Sequence, residues 1–519
     1  EIMNPTPLSE NKFILPPPEF SQESGFYPNN FNLLLSSPNE NSLIYYTTDG
    51  SDPLNSKTRK TYTEEGINIY AEYEEDENSP VSITRGCGYR KPRYPIDKGM
   101  IVRAVSIKDN LQSKVVSKSY FITTGSLADY EQYLIVSLVT NPANLFDPEI
   151  GIYVTGKQYI DWITIPDYIP NPDKWSKTNI CNYYSKGKEW EREATVSFIE
   201  KGKLILQQEI GIRLKGSSTR NSPQKSFDLI AKKAYGKKYF DFKFFEENYD
   251  LNGKIIERYD TITLRATYGD ERLRDKLGRD IVYGRKSVTT SWMKNCILFL
   301  NGEYWGMYVL MEKLTPLFFE YHYGVEDKNI VVIKENEIDE GPQEECDNYL
   351  LMAEQYSLSD LSNRRNYEEL EQIFDMDSFI EHYAIGIYFG TWDWPLQNMG
   401  IWKNNGNKNE GNEFSDGKWR FLTYDLDFSM GLTFENYGGV EGYQYNNFQH
   451  IERRRGQTIP TKIFLLLLRN NDIFRNKFIN LYCDFANEVM KAEKINLILD
   501  DYKETVTWMF ANGKVRWWG

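Results

Sequence analysis

The sequence predicts an α+β protein in which a small all-β module precedes a larger domain that begins in strands and ends in helices. Three observations carry that prediction. Short β runs bounded by turn residues fill the stretch from Phe26 to Thr124. Further strands, joined by a Gly/Ser-rich turn and an Asn-Gly hairpin, run from Tyr133 to Glu312. Beyond Asp347 the apolar residues take helical spacing.

Composition sets the limits. The chain has 519 residues, 40% hydrophobic and 15% aromatic, enough for two or three globular domains. Its net charge of −14 counts against broad nucleic-acid binding, because no basic domain offsets phosphate repulsion. The five cysteines are Cys87, Cys181, Cys296, Cys346 and Cys483. They show no metal-ligand spacing, and an odd number cannot all pair within the chain. The three histidines (His322, His382 and His450) are far apart, which counts against a His-rich metal site. Apolar runs such as Ile463–Leu468 are too short to span a bilayer. The chain starts at Glu1 rather than Met, so a processed N-terminus is expected and export is compatible with it.

Taken in order, residues 1–25 read as an extended Pro-rich lead-in, and residues 26–125 as a β-sandwich. Its strands are expected at Phe31–Ser36, Leu43–Thr48, Met100–Ile107 and Lys114–Ile122. The acidic run Glu72–Glu77 reads as a solvated loop, with calcium or a basic partner as the alternative. A second domain spans 130–519. A buried strand at Leu134–Val139 leads to a Trp- and Pro-rich excursion over 158–190, read as a surface loop. Strands return at Ala194–Ile199 and Gln208–Leu214.

The turn that follows, from Lys215 through Gly216, Ser217, Ser218 and Arg220 to Lys225, combines small residues with three cations. Such a turn exposes backbone N–H groups and can hold an anion, although an ordinary hairpin turn is the competing reading. Residues 269–284 predict a helix with a Leu273, Leu277, Ile281 stripe and Asp270 as N-cap. Its charges read as solvated, with Glu271 and Asp275 as candidates for an acid that orients a phosphate-binding lysine. The hairpin Cys296–Glu312 turns at Asn301-Gly302. After a polar segment (335–348), helices are expected at Asp347–Tyr356, Asn366–Phe374 and Met376–Phe389, then strands at Met399–Lys403 and Trp419–Tyr424, and helices again over 461–512.

The last of the first three helices delivers the chain to Asp393, five positions before Asn398, and the second strand ends on Asp425 and Asp427. An Asp, an Asn at this spacing and an Asp downstream form the set that protein kinases use as base and metal ligands. Asp and Asn are also common turn residues, so the company they keep matters.

Two resemblances follow from these motifs. The stretch Tyr45–Pro53, containing Asp49-Gly50-Ser51-Asp52, with the later Arg103-Ala104-Val105, resembles the immunoglobulin-like domain at the C-terminus of chitobiases. That resemblance implies a spacer or accessory module. Residues 133–519 resemble the CotH kinase family of atypical secretory kinases. The motifs that carry this are Asn144–Asp147 with Gly151–Val154, Lys215–Ser218 with Gln224–Phe227, Asn301–Tyr308 with Glu312, Trp392-Asp393 with Asn398, and Tyr424–Asp427. The resemblance implies a divergent bilobal protein-kinase-like domain, with a small lobe over about 130–312 and a large lobe over about 313–519. It also implies ATP with Mg2+ or Mn2+ as cofactors, and a protein substrate phosphorylated on Ser or Thr, secreted or at the cell surface within a larger assembly.

Carried over residue by residue, Lys225 would bind the ATP phosphates, with Ser217, Ser218 and Arg220 lining the loop and Glu312 at the nucleotide's edge. Asp393 would be the catalytic base, and Asn398, Asp425 and Asp427 the metal ligands. Ordinary kinases differ here: Thr391-Trp392 replaces the usual His-Arg before the catalytic Asp, the glycine loop is reduced, and Leu426-Asp427 follows the metal-binding Asp. A surface adhesin built on the same fold is the main alternative, and a metal-dependent hydrolase using the same acids is a third.

Overall fold

Strands dominate up to Glu312 and helices thereafter, as the sequence predicts, but the two β portions form one continuous sheet. The computed structural model describes residues 15–74, 95–123, 126–167, 180–267, 271–431, 444–453 and 458–518.

Seven strands close on themselves. Around the ring they are Arg192–Glu200, Ile135–Val139, Met293–Leu300, Glu303–Glu312, Thr261–Ala266, Ser226–Ile230 and Lys203–Lys215, the last pairing back to the first. Side chains alternate between faces along a strand. One set, including Val136, Phe198, Leu214, Phe227, Leu264 and Leu298, fills the interior with Trp305 and Tyr308. The other set puts Lys215, Asp228 and Arg265 on the opposite face, where register aligns Arg213 with Asp228, Asp228 with Thr263, and Thr263 with Met311. The alternation that builds the core therefore also builds a polar stripe.

The N-terminal module packs Phe31–Leu33 and Ile67–Ile69 against a sheet of Gly25–Tyr27, Val116–Ile122, Met100–Lys108 and Leu43–Thr47 around Leu33, Ile69, Val102 and Tyr120. It is joined to the ring. Gly25 pairs with Lys203, and Lys98 pairs with Glu303. Phe121 meets Phe299 with ring centroids 4.6 Å apart, and Phe26, Phe121, Ile297 and Met307 share one core cluster. Gly302 at the hairpin tip has a positive φ of 84°, and a Cβ there would lie 2.2 Å from the carbonyl oxygen of Gly99, so this junction requires glycine.

After Glu312 the chain enters a helical region centred on Met376–Phe389, which is buried along nearly its whole length. Asp375 caps it at the N-terminus, accepting from Ser378 N–H at 3.0 Å, and Gly390 ends it in the left-handed conformation. A four-stranded sheet lies beside it, in the order Glu337–Glu340, Ile330–Lys334, Gly400–Asn404 and Arg420–Leu422. The polar segment read at 335–348 thus contains a β-hairpin that turns at Glu335-Asn336.

Two further expectations are corrected. The excursion over 158–190 includes a helix at Lys157–Thr164. The final helix, Ala492–Trp518, packs on the strand ring rather than extending the helical region. Trp517 donates its indole N–H to Trp305 O at 2.9 Å, and Arg516 pairs with Glu303 at 2.5 Å. Glu72–Glu74 of the acidic run forms a strand against Ile96–Lys98, and the rest of the run lies outside the described residues. Asp270, expected as an N-cap, also lies outside them. Cys181, Cys296, Cys346 and Cys483 are free thiols, and Cys87 lies outside the described residues. No described helix is long and apolar enough to cross a membrane.

Candidate active site

The ring's polar face and the helical region enclose a cleft of about 410 Å3. Its roof carries Lys215, Gly216, Ser217 and Arg265. Met311, Glu312, Lys313 and Leu314 form its back, where the chain passes from strands to helices. The hairpin residues Lys334–Asp339, with Asn398, Tyr424 and Asp425, close it from below.

Asp393 and Asn398 are brought together as the spacing predicts. The Asn398 side chain donates to Asp393 Oδ2 at 2.9 Å and to Asp425 O at 3.4 Å. Two tryptophans fix this loop. Trp392 N–H donates to Phe428 O at 2.7 Å, while the Trp394 indole N–H donates to His382 Nε2 at 3.0 Å. Burial pushes the His382 pKa down to about 3, so the imidazole is neutral and free to accept. Gly386 leaves room for Trp394, whose ring would lie 2.7 Å from a Cβ there.

Burial, reinforced by Asp425, raises the Asp393 pKa to about 6. Asn398 and Asp425 both have left-handed backbones, with φ of 61° and 58°. Such non-glycine positions are uncommon and concentrate at functional sites. The Asn398 N–H is held by Glu335 Oε1 at 3.2 Å.

The largest departure from the sequence reading concerns the cation. Lys225 is buried inside the turn, where its ammonium donates to the carbonyls of Arg220 and Ser222 at 2.7 Å each. It lies 5.1 Å and 4.3 Å from the ring centroids of Tyr153 and Tyr183, and is not among the residues that line the cleft. Burial pushes its pKa down to about 7, while the carbonyls and ring faces favour the charged form. Arg220 is likewise spent on backbone carbonyls, those of Gly216, Tyr183, Ser185 and Leu214. Ser217 lines the cleft, and Ser218 is exposed outside it.

Arg265 stands in the cleft instead. Its guanidinium bonds the Asp425 carboxylate, lies 3.1 Å from Asp427 Oδ2 and 3.3 Å from Asp275 Oδ2. Asp275 is fully buried on the Glu271–Val282 helix, where Arg279 holds it at 2.9 and 3.1 Å. Burial opposes its charge, but Arg279 and then Arg265 win, and its pKa falls to about 2. Asp275 also accepts the N–H of Leu426 at 2.8 Å. The helix's charged face is therefore internal, and Asp275 orients arginines rather than a lysine. The side chain of Glu271 lies outside the described residues.

Sequence reasoning missed Arg265. The signal available was an alternating strand, Thr261–Ala266, with an arginine as its penultimate residue, just before a helix bearing a candidate acid.

Lys215 adds a second cation at the roof. Burial first, then the neighbouring Lys313, Lys334 and Arg265, lower its pKa to about 8 against the opposing pull of Asp228. Glu312 faces the cleft with Oε1 held by Asn248 at 3.3 Å and His322 at 3.0 Å. Asp427 is turned toward Arg265 and does not line the cleft.

An arginine and an αL aspartate thus meet across the cleft, with an Asp–Asn pair beneath them. Residues 212–517 match the family model described as CotH kinase protein, and residues 33–120 match the one described as Fn3 associated. With more than half its length so matched, the chain belongs to the CotH kinase family. No curated protein matches it.

Proposed function

We propose that the protein is an ATP- and divalent-metal-dependent kinase that phosphorylates Ser or Thr on exported proteins, with the 130–519 region working as a divergent two-lobed kinase domain. The observation that carries this is the linked set Asp275–Arg265–Asp425, placed over Asp393–Asn398. In protein kinases a cation on a small-lobe strand pairs with an acid on the following helix and reaches the phosphates beside the metal-binding Asp. Arg265 has that strand position, Asp275 that helix position, and Asp425 follows a strand beyond the Asp–Asn loop.

The donor set fits Mg2+ or Mn2+. Asn398 and Asp425 offer an amide and a carboxylate oxygen to the same cleft. Mg2+ commonly takes only one or two protein carboxylates and completes its shell with water and phosphate oxygens. No group of three or more His, Cys, Asp or Glu side chains suited to holding a metal is present among the described residues, so the protein would supply few of the ligands. Asp427, bonded to Arg265, supports the site rather than facing the cleft. When bound, the metal would neutralise phosphate charge.

The chain's own residues do the remainder. Arg265, Lys215 and the Gly216-Ser217 backbone hold phosphate oxygens, while Met311, Leu314 and Ile338 offer apolar contact to a base. Asn398 fixes one Asp393 oxygen, and Asp393 accepts the acceptor hydroxyl's proton. Its raised pKa suits it to take a proton near neutrality and release it again.

Calorimetry of ATP binding, with and without Mg2+ or Mn2+, tests this. The parental protein should bind ATP more tightly with metal, and Asp425→Ala should lose that dependence. Unchanged metal dependence in Asp425→Ala would remove Asp425 from the site.

A further inference from the structure

A second cavity of about 400 Å3 adjoins the cleft across Lys215, Gly216, Lys313, Lys334 and Asp339. In a chain of net charge −14 its wall is strongly basic, with six cationic side chains against Asp228 and Asp339. Three of the six are already committed. Arg220 is spent on carbonyls, Lys313 bonds Asp228 at 2.7 Å, and Lys334 bonds Asp339 at 2.5 Å.

Of the other three, Lys215 is shared with the cleft, where it is assigned to nucleotide phosphate, while Lys186 and Arg213 belong to this cavity and not to the cleft. Among the described residues the Lys186 and Lys215 side chains make no hydrogen bond or ion pair. Arg213 Nε lies 3.5 Å from Glu191 Oε2, in an ion pair too long to be a hydrogen bond, and Glu191 is shared with Lys232. An arginine whose acid is shared and not hydrogen-bonded to it, and an ammonium drawn partly out of water, both favour an anion that would complete them. Acidic side chains already satisfy Lys313 and Lys334, and carbonyls satisfy Arg220, so the remaining positive charge is an excess over the cavity's own partners.

We propose that this cavity binds an anionic side chain of the acceptor polypeptide, a carboxylate or a phosphoserine flanking the residue to be modified. The assignment to an acceptor rests on the kinase reading above, whereas the anion site rests on the cavity itself. Its position supports the acceptor over the nucleotide. Arg265, Asn398 and Asp425 line only the first cleft, while Lys186 and Arg213 line only the second.

Fluorescein-labelled peptides of one sequence, differing only in whether aspartate, phosphoserine or lysine flanks a central serine, test the proposal by direct binding to the full chain. Aspartate and phosphoserine peptides should bind at least about tenfold more tightly than the lysine peptide. Stronger binding of one acidic form identifies which source of anion the cavity prefers. Lys186→Glu, an exposed change, should erase the preference and leave ATP affinity unchanged; Arg213→Gln should weaken it. Equal binding of all three peptides, an unchanged preference in Lys186→Glu, or displacement of the acidic peptide by ATP with Mg2+ would each overturn the proposal. Lys186-dependent binding in a protein that transfers no phosphate would support the anion site and overturn only the kinase reading.

Discussion

Leu426 donates its backbone N–H to Asp275 Oδ1 at 2.8 Å, joining the Glu271–Val282 helix directly to the loop that carries Asp425 and Asp427. Arg265 spans the same gap with its side chain. The two halves of the cleft are thus coupled through one buried acid, and removing any member should disturb both walls.

Arg265→Met should lower stability by about 3–5 kcal/mol, because it takes a guanidinium from the buried carboxylate of Asp427 and leaves Asp275 with Arg279 as its remaining arginine. Chemical denaturation measures it. Arg265→Lys should fall in between, since an ammonium keeps the charge but not the fork that reaches three acids. A parental midpoint for Arg265→Met would mean the cluster contributes nothing to the fold.

Lys225 and Lys215 should separate cleanly. Lys225→Ala should destabilise the turn, because the carbonyls of Arg220 and Ser222 lose their donor at about 1–3 kcal/mol each. Lys215→Ala should leave stability near parental and weaken ATP binding about 10–100-fold, the worth of a charge-assisted bond to phosphate. Lys225→Ala that melts like the parent yet fails to bind ATP would restore Lys225 as the phosphate ligand.

The pH dependence follows from Asp393. Its folded pKa is raised to about 6. A base must be unprotonated, so kcat/KM should be flat above that value and fall about tenfold per pH unit below it. In Asp393→Asn the residual rate should lack this limb. An acid limb that persists unchanged in Asp393→Asn would assign it to another group.

Removal of residues 1–128 should cost stability even though no cleft residue is lost. Phe121 and Phe26 cover Ile297 and Phe299, and uncovering each large apolar side chain costs about 1.5–3 kcal/mol. The shortened chain should unfold at lower denaturant and bind a hydrophobic dye. Parental stability would show that the module is only a spacer.

The Asp393–Asn398 contact and the placing of Asn398 and Asp425 at the cleft were legible because loop chemistry is local: short polar side chains at fixed spacing after a well-marked helix and strand. The cation was not. In one dimension Lys225 reads as a basic residue opening a strand and Arg265 as one within a strand, and only the fold shows that Lys225 is folded into its own turn while Arg265 faces the cleft. The Glu271–Val282 helix shows the same limit. Its leucine stripe pointed to the apolar side as the buried one, yet Asp275 and Arg279 are more buried than Leu273 or Leu277, because mutual neutralisation lets charges go inside. The join between the two β portions was hidden for a related reason. It depends on pairing between Gly25 and Lys203, far apart in the chain, which no local pattern records.

The central claim is that this cleft transfers phosphate. Its most direct test is label transfer from γ-labelled ATP, with Mg2+ or Mn2+, to Ser- and Thr-containing acceptors, run beside ATP binding for the parental protein and Asp393→Asn. The parental protein should label acceptors, and Asp393→Asn should bind ATP equally well while transferring about 10²–10⁴-fold more slowly. A parental protein that binds ATP and labels no acceptor, itself included, would contradict it and leave the cleft a binding site alone.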